Sequence, residues 1–306
     1  MNATQDWIAS WCLEHLRAVP VRELLSTRTM SSVVALELED GRSVVVKRRP
    51  DEEGRATSCV AVQLQLAERG FPCARPITRV TTVDGTATHA EEWMPGGTLM
   101  DADDQVAARC SATLLADLTA RIEAIAARPP VPNPEWVRWD HTDDGNWPAY
   151  AWHDARAARI PLPTWLEELA RRTRARLCSI ELPRIIGHAD WEAQNLRWID
   201  RAPYVVHDWD SLAYLSEAAI AGAASGAFAS GATPSLVSLE SSKAFLDAYE
   251  TARRRRFSPD ETSVAWAASL WPALHNARGE VLYEQPRVAF AAVASQAEDR
   301  LALARA

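Results

Sequence analysis

The feature that most restricts the fold of this chain is a change of pattern at Pro95-Gly96-Gly97. Before it, apolar residues gather in short β-rich runs. After it, they recur at helical spacing. Val33–Leu38 and Ser43–Lys47 read as two strands joined at Asp40-Gly41, a hairpin signal. Two more strands are expected near 76–83 and 87–94, and helices over 6–17 and 55–69, the latter stopped by Gly70 and Pro72. Beyond the break, helices are expected over 103–127, 163–178, 215–228, 235–256, 259–279 and 286–304. Short strands at 184–187, 196–199 and 204–207 interrupt them. Pro129-Pro130-Val131-Pro132-Asn133-Pro134 must be extended. This order predicts an α+β protein of two lobes: residues 1–95 with a leading helix in 1–20, and a mostly helical 96–306.

At 306 residues the chain is long enough for two lobes or one large domain. Its net charge of −8 argues against a phosphate-backbone partner, so nucleic acid is not expected. Acidic clefts favour cationic small molecules. Cys12, Cys59, Cys73, Cys110 and Cys178 are odd in number, widely spaced and without a C-x-x-C pair. They predict reduced thiols in a cytoplasm rather than disulfides or a zinc site. The N-terminus has no basic region ahead of an apolar run, so a signal peptide is not expected. The most apolar stretch, 218–229, falls short of the ~20 residues of a membrane span.

Chemistry concentrates in one run, Gly187-His188-Ala189-Asp190-Trp191-Glu192-Ala193-Gln194-Asn195, followed by His207-Asp208-Trp209-Asp210. His-x-Asp-x-x-x-x-Asn has the spacing of a phosphoryl-transfer loop, in which Asp takes the acceptor proton and Asn turns back to a metal ion. On that reading Asp190 is the catalytic base. Asn195 and Asp208 supply hard oxygen donors suited to Mg²⁺, with Asp210 as an additional ligand. His188 is expected to support the loop backbone.

These motifs resemble those of the aminoglycoside phosphotransferase family, within the protein-kinase-like fold, which carries His-Gly-Asp-x-x-x-x-Asn and Asp-Trp/Phe-Asp/Glu. Here Ala189 stands where that family has glycine. Val44-Val45-Val46-Lys47 resembles the strand whose lysine grips the α- and β-phosphates, and Glu92-Trp93-Met94-Pro95-Gly96 the segment between lobes. The resemblance spans about residues 20 to 290. It implies a small antiparallel-sheet N-lobe, a larger helical C-lobe and ATP (or GTP) bound between them. It also implies base contacts from the backbone of Glu92 and Met94, and phosphate contacts from Lys47 and from the 26–32 segment through Ser31 and Ser32.

Two departures accompany it. The 26–32 segment has no glycine, leaving hydroxyls and amides to cradle phosphate. No glutamate stands mid-helix in 55–69 to pair with Lys47; that helix offers Gln63, Gln65 and, at its far end, Glu68.

The expected reaction is transfer of a γ-phosphoryl group to a hydroxyl of a small, cationic molecule. Candidate acceptor contacts are Glu192, Asp140, Asp143, Asp144 and Glu217, with Trp266, Trp271, His275 and Asn276 behind them. The run Arg253–Arg256 reads as a solvated helix end. Acceptors of two kinds fit: an antibiotic, either an aminoglycoside or a basic peptide, with resistance as the outcome, or a metabolite such as choline, homoserine or a sugar. A nucleotide-binding pseudokinase is the reading from another class. A cytoplasmic monomer or homodimer, with no membrane partner, is expected.

Overall fold

The structure, a computed structural model, describes every residue except 1, 2, 29, 30, 52, 84, 232 and 234. The chain divides into two compact units. One comprises Met1–Gly96 with Val205–Asp210, the other Gly97–Tyr204 with Ser211–Ala306. Residues 205–210, placed by sequence in the helical part, thus pack with the first unit.

In the first unit, α1 (Ala3–Leu16) precedes three antiparallel strands: β1 (Pro20–Arg28), β2 (Ser32–Leu38) and β3 (Ser43–Pro50). Helix α2 (Arg55–Glu68) and strands β4 (Thr81–Val83) and β5 (Thr86–Glu92) follow. The sheet order is β1-β2-β3-β5-β4. Gly41, at φ 84°, closes the β2–β3 turn, and its N–H donates to Leu38 O at 2.9 Å. Strand alternation then sorts the side chains by face. Val34, Leu36, Leu38, Val44, Val46 and Ala90 pack in one core with Ile8, Cys12 and Leu16 of α1. Each such aliphatic side chain contributes roughly 1.5–3 kcal/mol on burial. Positions of opposite parity, including Val45, Lys47 and Arg49, are turned to the other face.

Strand β1 departs from expectation. Sequence reading placed a phosphate-cradling turn from Ser26 onward, but β1 continues through Arg28, with Ser26 opposite Val34 and Thr27 opposite Val33. Val21 is 61% and Leu25 44% exposed, and two register shifts interrupt the ladder. An edge strand with both faces wet carries no alternation to read. Thr29 and Met30 lie outside the described residues. Helix α2 begins after Gly54, at φ 72°, and both carboxylate oxygens of Asp51 accept from Ala56 N.

The second unit contains α3 (Gln105–Glu123), α4 (Ala151–Ala157), α5 (Thr164–Cys178), and strands β6 (Arg184–His188) and β7 (Leu196–Ile199). Strand β8 (Ala202–Val206) pairs with β7 and leads into the first unit's 205–210 segment. Asp200 and Arg201, at φ 50° and 65°, form the two-residue turn between them. Then come β9 (Leu212–Ser216), α6 (Glu217–Ala227), α7 (Leu239–Arg253), α8 (Pro259–Leu282) and α9 (Val288–Ala304). Helix α6 is buried all round. A Cβ on Gly222 would lie 2.2 Å from Ala265 O, and one on Gly226 2.0 Å from Ser269 O, so these glycines permit its close packing on α8. A capping box, Ser258 with Glu261, starts α8. Strands β6 and β9 pair antiparallel, His188 opposite Leu212, and hold the chain on either side of the 188–211 segment. Among the described residues no helix is long and apolar enough to cross a membrane.

Candidate active site

The loop after β6 is fixed from below. His188 is fully buried, and its Nδ1 accepts from Asp190 N at 3.3 Å. Its ring meets Trp191 edge-on at 5.5 Å, and Trp191 Nε1 donates to Ser111 Oγ of α3 at 2.9 Å. Ala189 N donates to Ser211 O at 2.9 Å, tying the loop to the start of β9. His188 is thus a support.

Above this base, Asn195 closes the loop on itself. Its Nδ2 donates to Asp190 Oδ2 at 2.8 Å and to Asp190 O at 2.9 Å. One carboxylate oxygen of Asp190 is thereby fixed in place. With the amide nitrogen so committed, Oδ1 of Asn195 remains as a hard oxygen donor. Glu192 is buried, and its Oε2 accepts from Gln194 Nε2 at 2.6 Å.

The first unit carries a row of charges on the sheet face opposite α1. In the β3–β5 register Val45 lies opposite Glu91 and Lys47 opposite His89. Lys47 and Glu91 are therefore diagonal neighbours on one face, within reach for long side chains. Nζ lies 2.8 Å from Glu91 Oε1. Gln63 Nε2 of α2 donates to Glu91 Oε2 at 2.8 Å and to Ala74 O at 2.8 Å. Burial disfavours the Lys47 ammonium, but attraction to Glu91 and Asp210 outweighs it and raises its pKa. Burial likewise opposes the Glu91 carboxylate, yet Lys47 holds it down at about 2. Burial keeps the adjacent His89 neutral.

Two residues along β3, Arg49 Nη1 lies 2.5 Å from Asp210 Oδ2, and Arg55 Nη1 donates to Asp210 O at 2.6 Å. Burial opposes the Asp210 carboxylate, but Arg49 and Lys47 hold it far below the usual carboxylate range. Asp210, expected as an additional metal ligand, thus has Arg49 on one carboxylate oxygen and Arg55 on its carbonyl. Asp208 adopts φ 59°, a left-handed conformation that costs an L-residue of order 1–3 kcal/mol. Trp209 beside it is buried, donates to Val206 O at 2.9 Å and meets Phe71 edge-on.

The remaining candidates separate. Glu92 N donates to Arg75 O at 2.9 Å at the end of β5, and Met94 follows in the extended segment to Pro95. Ser32 opens β2 opposite Arg28 and Arg48, with Ser31 at the bend before it. Glu217 does not fit an acceptor contact. It is 8% exposed, and its oxygens accept from Tyr249 Oη, Arg253 Nε and Arg255 Nη2 at 2.8–2.9 Å. The Arg253–Arg256 run is only half a solvated helix end: Arg254 and Arg256 are exposed, whereas Arg253 and Arg255 close on Glu217. Asp140 pairs with Arg184 at 2.9 Å, and Asp143 Oδ2 accepts from Ala149 N at 2.8 Å. Asp144 is exposed. Trp139, Trp147 and Trp271 pack on one another and, with Trp266, are buried.

A model of the phosphotransferase enzyme family matches residues 23–214, well over half of the chain. The chain belongs to the phosphotransferase enzyme family. Solved structures share its fold at low identity. The amicoumacin kinase hAmiN, in complex with AMP-PNP, Ca²⁺ and Ami, superposes with a TM-score of 0.63 at 11% identity, covering 92% of this chain and 88% of that one. A putative fructosamine-3-kinase from Thermobifida fusca YX-ER1 gives 0.56 at 20%, covering 98% and 99%. The macrolide 2′-phosphotransferase MphH from Brachybacterium faecium gives 0.54 at 17%, covering 99% and 98%. No curated protein matches the sequence significantly. This phosphotransferase has the two-lobed, kinase-like architecture: an antiparallel sheet in its N-terminal part and helices in its C-terminal part. Sequence reading missed Glu91 as the partner of Lys47. Its one signal was parity, because His89 and Glu91 share a strand face that register turns towards Lys47.

Proposed function

We propose that this phosphotransferase moves the γ-phosphoryl group of ATP (or GTP) to a hydroxyl of a small molecule. The observation that carries the reading is the Asn195 amide on Asp190, which orients the candidate base and leaves an oxygen donor on the same loop. Asp190 orients the acceptor hydroxyl and takes its proton as the oxygen bonds to phosphorus and the nucleoside diphosphate leaves. Lys47 contacts the phosphates, Ser31 and Ser32 flank them, and the 92–94 backbone contacts the base. Mg²⁺ takes hard oxygens and one or two protein carboxylates beside substrate phosphates. The Asn195 amide oxygen and the Asp208 carboxylate are donors of that kind, while at Asp210 Arg49 competes for the carboxylate. Bound there, the ion would neutralise charge developing on the phosphates.

A cationic acceptor, such as an amine-bearing antibiotic, is favoured by Glu192, a buried acid two residues from Asp190, and by exposed Asp143 and Asp144. Several kinases of antibiotics share the fold, as does a putative fructosamine-3-kinase. A mixed panel of antibiotics and metabolites, incubated with enzyme, Mg²⁺ and either nucleotide, is read by mass spectrometry for one added phosphoryl group. Asp190→Ala should lower turnover of any product-forming acceptor at least about 10³-fold with the fold intact. Near-normal turnover in that variant would sink the mechanism. Product confined to neutral acceptors would overturn the cationic assignment.

A further inference from the structure

We propose that Glu91 is the positioning residue for Lys47, so that the phosphate-contacting ammonium is placed by sheet register rather than by an acid on helix α2. The inference rests on the phosphotransferase reading of Lys47 given above.

Three observations carry it. First, the pair lies within two hydrogen-bonded strands. Seven residue pairs connect β3 to β5, and the Lys47–Glu91 diagonal follows from that register alone. Second, the side chains of Lys47 and Glu91 are only 11% and 3% exposed. Removing two charges from water offsets most of their attraction, so an apolar pair would serve stability as well. A carboxylate kept there needs another reason, and orienting an ammonium is one. Third, α2 contributes an amide where an acid would stand. Gln63 is fully buried, and its Nε2 holds Glu91 Oε2 and Ala74 O. The helix steadies the acid without supplying the charge.

The consequence is mechanical. Where the acid rides on a helix, moving the helix breaks the ion pair. Here α2 can shift and lose one amide hydrogen bond while Lys47 keeps its counter-ion. Glu91 also directly precedes the 92–94 segment assigned to the base, so one strand would place both the base contact and the lysine's partner.

The test measures binding of AMP-PNP with Mg²⁺ by calorimetry, beside KM for ATP, kcat and a thermal melt. Glu91→Gln should weaken AMP-PNP binding at least about tenfold, since a buried hydrogen bond to a charged group is lost, and should raise KM for ATP likewise. Gln63→Met, which leaves the charge in place, should weaken it by no more than about threefold. Glu91→Asp, which keeps the charge on a shorter stem, guards against a Gln variant that fails to fold and should fall between these two. Moving the carboxylate to the helix, as Gln63→Glu with Glu91→Gln, should recover part of the affinity. Glu91→Gln and Glu91→Asp both within twofold of the parent, or Gln63→Met as damaging as either, overturns the inference. Failure of the unsubstituted protein to bind AMP-PNP counts instead against the phosphotransferase reading of Lys47.

Discussion

Two buried carboxylates in this molecule are held by cations, and they differ in what is left over. Glu217, at the start of α6, accepts from Tyr249 and Arg253 through Oε1 and from Arg255 through Oε2. Arg253 and Arg255 close outward on Glu123 and Glu261. Every partner is another side chain of the same unit, and the cluster ends where the helices end. Glu91 accepts from Lys47 and Gln63, and Lys47 has three N–H donors for one carboxylate contact. The first arrangement is closed and joins α6 to the end of α7. The second, with His89 Nε2 also 3.9 Å from Glu91 Oε2, leaves ammonium donors over, as the phosphate contact proposed for Lys47 requires.

The largest expected effect tests that distinction directly. Lys47→Met should lower kcat/KM for ATP about 10²–10³-fold per folded molecule through lost charged hydrogen bonds to phosphate, beside the stability lost by leaving Glu91 buried without its cation. Glu217→Gln should act on stability alone. It leaves two guanidinium groups facing a neutral amide and should cost about 3 kcal/mol of stability, while turnover per folded molecule stays near the parent's. A chemical-denaturation series run beside steady-state kinetics reads both. If Glu217→Gln lowers turnover as much as Lys47→Met, the comparison collapses.

The contrast also explains what could be read in advance. The 188–195 loop between β6 and β7 was legible because short strands on either side fix its place by sequence spacing. Helices α3, α5 and α7–α9 were legible through apolar periodicity and caps, and the β2–β3 hairpin through Asp40-Gly41. Glu217 was misread because Arg253 and Arg255 stand 36 and 38 residues further on, and no local pattern announces that they return. Glu91 was missed because its role depends on register, and one step of slip would have turned it to the other face. Strand β1 was missed because its side chains are largely exposed, so backbone pairing rather than burial defines it.

A smaller effect sharpens the comparison within the open site, at Asp208 and Asp210. Arg49 closes Asp210 as Arg253 closes Glu217, so Asp210 should behave structurally. Asp208→Asn should raise the Mg²⁺ concentration needed for half-maximal turnover at least about tenfold, whereas Asp210→Asn should leave that requirement within about threefold and act mainly on stability. A magnesium titration of both variants checks this. Equal shifts in the two would return Asp210 to the metal.

The smallest effect concerns a third buried polar group, in which the cation is absent from its histidines. His153 and His275 stack at 5.0 Å, with Tyr150 and Tyr283 against His153. Burial, reinforced by Arg278, lowers His153 to about 4, while burial and then His153 and Arg278 lower His275 to about 3. Asp154, 3.5 Å from Arg278, pulls His153 weakly the other way. Both folded values lie below the ordinary 6.5, so the unfolded chain binds more protons between them. The contribution of these two histidines should therefore be constant above pH 6.5, decline as pH falls from about 6.5 to about 4, and continue to decline towards about 3 for His275. Glu91, depressed to about 2, contributes its stability above pH 4.5 and loses it only on falling from there towards pH 2. The two groups thus separate on the pH axis. His153→Phe should make the decline between pH 6.5 and 4.5 shallower, the remainder being that of His275, while Glu91→Gln leaves that window unaltered. A profile that is already flat there would mean that these histidines are protonated in the folded state, with Asp154 rather than burial deciding their charge.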